Sequence, residues 1–169
     1  MLSYDLSDEQ KILQKNVRDF AENEIKPRAE ELDEKETFSV EITKQMAELG
    51  LFGMFVSEEY GGTDMGYISY IIAVEELARV DGSQAATVAA GNSLGIGPIY
   101  YFGNEDQKKE WLPKLCSTEP DDFRLSAFGL TEPNAGSDAG GSKTNATLEG
   151  GQWVINGSKI FITNSTNPL

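Results

Sequence analysis

Apolar residues recur along the first part of the chain at three- and four-residue spacing, which is the periodicity of helices with one buried face. Ser7 and Gln10 stand at the separation of a capping box, and Ile12, Leu13, Val17, Phe20, Ala21 and Ile25 follow on one stripe. That pattern predicts an amphipathic helix that Pro27 ends or kinks, with the charged run Glu30 to Glu36 as a solvated face. A second helix is predicted over residues 40–49, stopped by Gly50. After the Tyr60-Gly61-Gly62 turn a third helix is predicted, with Asp64 as N-cap. Its Ile68, Ile71, Ile72, Val74, Leu77 and Ala78 are too many for one stripe, so it is expected to be largely buried. Residues 84–102 are nearly uncharged and rich in alanine and glycine, and are expected to form a central helix. A short polar helix follows over residues 104–112, anchored by Trp111 and closed by Pro113.

Beyond Asp121-Asp122 the helical period is lost and short β-type runs alternate with glycine and asparagine. A domain boundary is therefore expected near residues 115–123, dividing a helical domain (1–120) from the start of a β domain (121–169). In WVINGSKIFIT, Asn156-Gly157 between β-branched runs predicts a two-residue type I′ hairpin. Its register would pair Ile155 with Ser158 and Trp153 with Ile160, placing Phe161 and Thr163 together on one face. About two hairpins fit after residue 124, fewer strands than a self-supporting antiparallel sheet needs, so the β part looks incomplete.

Composition narrows the chemistry. The 14 basic and 28 acidic residues give a net charge of -14, which disfavours nucleic acid and leaves an anionic ligand to local backbone donors. No apolar run approaches a membrane span, and the first residues lack the features of a signal or transit peptide, so a cytoplasmic protein without membrane contact is expected. The asparagines of three glycosylation sequons, Asn145, Asn156 and Asn164, then carry no sugar. Histidine is absent and Cys116 is the single cysteine, which removes His-based nucleophilic machinery, most zinc sites and any internal disulfide; no metal is expected. Glu75 and Glu76 cannot form a carboxylate dyad, because adjacent helical residues point about 100° apart.

The segment GLTEPNAGSDAGG, residues 129–141, is dense in turn formers and glycines able to aim backbone N–H groups at an anion. It is neither a P-loop, since Ser142-Lys143 reverse the required order, nor a dinucleotide fingerprint. Read alone, it is as often a plain connection as a nucleotide site. Position by position, however, it resembles the first signature of the acyl-CoA dehydrogenases. YGG at 60–62, EELARVD at 75–81, GNSLG at 91–95, FGNEDQKKEWLPKL at 102–115 and INGSKIFITN at 155–164 resemble the same family in the same order.

The resemblance implies an N-terminal helical domain followed by the first strands of the family's middle β domain, with the C-terminal helical domain and its glutamate base lying outside these residues. It implies FAD-dependent α,β-dehydrogenation of an acyl-CoA thioester to trans-2-enoyl-CoA in fatty acid metabolism. The partners it implies are an electron-transfer flavoprotein or similar acceptor and a homotetramer. By resemblance the flavin contacts are Phe128, Gly129, Leu130, Thr131, Glu132, Pro133, Asn134, Ala135, Gly136 and Ser137 on one segment and Phe161, Ile162 and Thr163 on the other. Thr131 would meet the polar edge of the ring, Phe161 its face, and the Thr163 hydroxyl N5. Phe161 stands where many members carry tryptophan. Ser137, Thr87, Ala90 and Leu94 would contact the thioester and acyl chain. The residues around the signature look most like the short-chain, butyryl-type members. With no catalytic residue among them, residues 1–169 alone are expected to be inactive and to bind FAD weakly or not at all. An acyl-CoA oxidase, or another flavoprotein of this fold, remains as a second enzyme reading, and a non-catalytic helical module that binds a protein partner as a third.

Overall fold

The computed structural model describes residues 5–165 and 169. Helix α1 (Asp8–Phe20) starts at the expected capping box, with Ser7 Oγ accepting from the Gln10 amide and Gln10 Oε1 accepting from the Ser7 amide. Pro27 does not end it. A π-helical turn over Ala21–Ile25 widens the coil first, and α2 (Lys26–Glu34) continues with Pro27 in its opening turn, where no N–H is required. The charged run Glu30 to Glu36 is thus helical as far as Glu34.

Helix α3 (Val40–Glu48) is capped by Ser39 and stopped by Gly50 at φ +70°. Helix α4 (Gly66–Ala78) has Met65 at its N-cap with no side-chain hydrogen bond, while Asp64 adopts φ +49° outside it. The helix buries Ile72, Ala73 and Leu77 but leaves Ile68 and Ile71 more than half exposed, so the expected burial holds for one face only. Helix α5 (Gly82–Ala90) is capped by Asp81, passes through a π-helical turn at Gly91–Ile96 and runs into α6 (Gly97–Phe102), giving the expected small-residue column. Helix α7 (Glu105–Leu115) opens on an Asn104/Gln107 capping box and carries Pro113 inside it. Here too proline fails to close the helix, and Leu112 rather than the half-exposed Trp111 is its buried anchor.

Helix α1 packs on α4, α4 on α5 and α3 against α5. Leu51, Phe52, Met54, Leu77, Val88 and Ile96 lie in the resulting core with almost no exposed surface. A buried carboxylate braces α1 to α4. Arg18 donates through Nη2 and Nε to Glu76 at 2.6 and 2.9 Å, and Arg79 adds a third bond at 3.1 Å. The Arg18 hydrogen bonds hold the Glu76 carboxyl below its ordinary value, against the opposing effect of burial. Glu76 is therefore structural, and Glu75 is exposed beside it.

The chain leaves the helices along a pinned path. Phe123 is fully buried with its ring 4.7 Å from that of Phe52, and the Arg124 amide donates to the Lys114 carbonyl. The β part is one antiparallel hairpin, β1 (Asn145–Glu149) and β2 (Gln152–Asn156), paired from Asn145 with Asn156 to Glu149 with Gln152. Its loop is Gly150-Gly151, at φ +57° and +83°, positive at both positions as a type I′ connection requires. The hairpin expected at Asn156-Gly157 is therefore displaced to an earlier turn. Asn156 closes the ladder, and Gly157 serves a close approach instead, since a Cβ there would overlap the Thr144 side chain. Every residue of both strands is exposed, including Trp153 and Ile155, so neither face of the hairpin is core among the described residues.

Candidate functional site

Two segments without regular structure meet beside the π-helical turn. The first runs over residues 126–132 and crosses the turn where glycine leaves room for it. A Cβ on Gly95 would overlap Ser126 Oγ, and Ser126 Oγ donates to the Gly91 carbonyl at 3.3 Å. The second, residues 159–164, is tied to the same place from above. Asn164 Nδ2 donates to the Thr87 carbonyl at 3.4 Å and to the Ser126 carbonyl at 3.3 Å. The two segments join each other through the Ile160 amide and the Thr131 carbonyl, 2.9 Å apart.

Between them lies a cleft of about 180 Å³ lined by Ala90, Leu94, Phe128, Leu130, Thr131, Phe161, Ile162 and Thr163. Its rim is apolar and accessible: Leu94, Phe128 and Leu130 are each more than 40% exposed and Phe161 is 88% exposed. A large aromatic left so bare has no role in the core, and clustered exposed apolar side chains mark a surface that meets a ligand or partner. Phe161 also stands at φ +58°, a left-handed conformation that costs a residue with a Cβ about 1 kcal/mol or more. Asn164 at φ +69° shares that state, and asparagine tolerates it better. Two hydroxyls, Thr131 and Thr163, complete the lining, and neither is engaged by another described residue. The Leu130 and Thr131 carbonyls are committed within the chain, so the cleft's polar offer is these hydroxyls and nearby backbone N–H groups. Among the described residues, no ionisable side chain lines it. A cleft this size, about 180 Å³, is below the roughly 300 Å³ of a complete small-molecule site, so it can cover only part of a ligand.

The residues singled out in the sequence divide accordingly. Phe128, Leu130, Thr131, Phe161, Ile162 and Thr163 come together, joined by Ala90 and Leu94. Phe161 and Thr163 meet there without the predicted strand register, because residues 157–163 lie outside the ladder. Gly129 lies between lining residues and packs on the Lys159 stem. Pro133, Asn134, Gly136 and Ser137 are exposed and outside the cleft, and Ala135 is buried, bridged to Glu132 across a tight turn. Glu132 itself is 7% exposed with its carboxylate turned into the protein. Thr87 is also elsewhere. It is buried, its hydroxyl donates to the Ser83 carbonyl, and it borders a separate cavity of about 720 Å³ between α2 and α5. That larger cavity is ringed by Glu30, Asp33, Glu36 and Asp81 with no basic residue, and so disfavours anionic ligands.

Cys116 is buried against Gly53, and burial pushes its thiol up to about 12, so it supplies no thiolate at neutral pH. Among the described residues no cluster of acidic, cysteine or histidine side chains is arranged to hold a metal ion, and no helix is long and apolar enough to cross a membrane.

Residues 7–119 match the family described as acyl-CoA dehydrogenase, N-terminal domain, and residues 127–168 match the acyl-CoA dehydrogenase middle domain. A short-chain specific acyl-CoA dehydrogenase of Clostridium acetobutylicum is 47% identical over 96% of this chain and 42% of its own length. The solved structure of butyryl-CoA dehydrogenase from Megasphaera elsdenii superposes with a TM-score of 0.88 at 42% identity, covering 97% of this chain and 43% of that one. An acyl-CoA dehydrogenase complexed with FAD from Bacillus anthracis superposes with a TM-score of 0.88 at 43% identity, covering 98% and 28%. The chain thus spans about two fifths of the length of the curated relatives it matches.

Proposed function

Because this chain belongs to the acyl-CoA dehydrogenase family, we propose that its cleft is one part of an FAD site in a protein that dehydrogenates short acyl-CoA thioesters. The observation that carries this reading is the convergence of a bare aromatic ring and two unengaged threonine hydroxyls on one apolar cleft. A flavin ring is planar, apolar on its faces and polar along its edge, and that is the chemistry this lining complements. Bound FAD supplies the hydride acceptor for removing hydrogen from the Cβ of the thioester.

The chain's own residues then bind and orient. Phe161 offers a π face, Thr131 and Thr163 donate hydrogen bonds to the polar edge, and Phe128 and Leu130 exclude water along one side. Ala90 and Leu94 form an apolar floor suited to a short acyl chain. The cleft holds no carboxylate, so the base that takes the α proton is not among the residues lining it. With the base supplied from outside these residues, as the family resemblance implies, residues 1–169 alone are inactive in this reading. An electron-transfer flavoprotein as acceptor and a tetrameric assembly belong to the whole protein in the same proposal.

Flavin fluorescence tests it. FAD titrated into the chain is expected to be quenched saturably with a dissociation constant on the order of 100 μM, the affinity of a partial site. Phe161→Ala is expected to weaken that binding about tenfold, the scale of one lost stacking contact. Because the ring is 88% exposed, the urea midpoint should stay unchanged. Equal quenching by the variant would remove Phe161 from the site.

A further inference from the structure

The carboxylate of Glu132 is in the signature but not in the cleft. It accepts from the Lys143 amide at 2.8 Å, the Thr144 amide at 2.9 Å and Lys159 Nζ at 2.8 Å. The same Lys159 ammonium donates to the Leu130 carbonyl at 2.8 Å, and its aliphatic stem lies over Gly129. Lys159 is thus attached by head and stem to one wall of the cleft, while two residues onward its backbone becomes the other wall at Phe161. Lys143 and Thr144 lead directly into β1, so the hairpin's stem is fastened at the same carboxylate. The Glu132 side chain is 8% exposed and that of Lys159 27%, which limits competition from water.

We propose that Glu132 and Lys159 are positioning residues: their ion pair is a clamp that holds the Leu130–Thr131 and Phe161–Thr163 walls at the separation a flavin ring requires. The proposal rests on the flavin reading above. It reassigns Glu132 from a cofactor contact to a group that acts through Lys159. The amide of Lys143, then Lys159, holds the Glu132 carboxyl well below the usual carboxylate range, so the carboxylate stays ionised throughout neutral and mildly acidic solution. Other ties, such as the Ile160 amide to the Thr131 carbonyl and the Asn164 side-chain amide to the Ser126 carbonyl, are neutral hydrogen bonds. The clamp is the charged contact that joins both walls and the hairpin, and charged hydrogen bonds are the stronger kind.

The test uses the 169-residue chain with Glu132→Gln, Lys159→Met, Lys159→Arg and the double variant E132Q/K159M. Amide hydrogen exchange without flavin reads the clamp itself. In Glu132→Gln, exchange at Lys143, Thr144 and Ile160 is expected to speed about tenfold, while the α4 and α5 amides stay as they are. Ile160 decides, because its amide touches Thr131 and not Glu132. An unchanged Ile160 overturns the clamp.

FAD titration then reads its purpose. Each of Glu132→Gln and Lys159→Met is expected to weaken binding about tenfold, and the double variant no further than either alone, as for groups acting through one contact. Lys159→Arg should recover most of the affinity. Full affinity in Glu132→Gln, or additive losses in the double variant, overturns the positioning role even if exchange changes. If the unmodified chain fails to bind FAD, the flavin reading fails with the positioning role, and the exchange data still decide whether the clamp exists.

Discussion

Asn92→Ala is expected to be the most damaging single change in the chain, lowering stability by about 4 kcal/mol, because it strands several buried backbone groups at once. The Asn92 side chain is completely buried. Its Oδ1 accepts from the Gly53 amide at 2.8 Å and the Met54 amide at 3.4 Å, and its Nδ2 donates to the Leu51 carbonyl at 2.8 Å and the Val88 carbonyl at 3.0 Å. The 51–54 loop it serves carries Leu51, Phe52 and Met54 into the centre of the core. Backbone bonds hold the loop's Leu51 amide (to the Met46 carbonyl) and its Met54 carbonyl (from the Gly66 amide), but the Gly53 and Met54 amides and the Leu51 carbonyl are met by this one side chain. Alanine removes the side-chain partner of the buried Gly53 and Met54 amides and the Leu51 carbonyl, while the Val88 carbonyl keeps the Gly91 amide. Urea unfolding followed by far-UV circular dichroism measures the loss. A change below about 1 kcal/mol would mean the loop satisfies itself.

Gly95→Val is expected to combine a stability loss of about 3 kcal/mol with loss of the cleft, since overpacking a closed contact forces backbone apart. A Cβ at Gly95 already overlaps Ser126 Oγ, and valine adds two more carbons in the same direction. Helix geometry at Gly95 is undisturbed, as it stands in a helical turn at negative φ. The displaced element is the 125–128 segment, which carries Phe128 and leads to Leu130 and Thr131. Gly95→Val should therefore lose flavin quenching at least tenfold at urea concentrations where its helical signal is still native. Loss of quenching only in step with unfolding would show that the glycine serves packing alone.

The helical part was legible because its signals are local. Ser7 with Gln10 and Gly50 after Glu48 are signals whose partners lie within four residues, and the structure uses both; the Ser39 cap of α3 is equally local but was not read. Errors arose where a distant contact overrides a local rule. Pro27 read as an end or kink and Pro113 as a stop, yet Pro27 follows a π-helical turn and opens α2, and Pro113 costs α7 only the donor to the carbonyl of exposed Lys109. Ile68 and Ile71 read as core because they are apolar, but burial is set by which neighbours are present. The hairpin went to Asn156-Gly157 for its strong turn dipeptide. Gly150-Gly151 has the same permissive geometry, and Gly157 is spent on clearance from Thr144.

For the cleft, the composition of residues 129–141 pointed to a ligand loop without saying which residues face it. Alternation grouped Phe161 with Thr163 on a strand face that the structure lacks; the two line one cleft instead. Glu132 was misplaced because an acidic residue inside a binding signature gives no local sign of a lysine 27 positions later. The nearest available hint was that an unpaired carboxylate beside an anionic ligand is electrostatically unfavourable, which argues for a partner elsewhere in the chain.

The central claim is that the small cleft, and not the larger acidic cavity, receives the flavin. Amide chemical shifts in a 15N-labelled chain titrated with FAD test it most directly. The account predicts shifts concentrated at Gly129, Leu130, Thr131, Phe161, Ile162 and Thr163, with smaller ones at Ala90 and Leu94 and none at Thr37, Asp81 or Ser83. Shifts centred on those last three residues, around the cavity between α2 and α5, would contradict it.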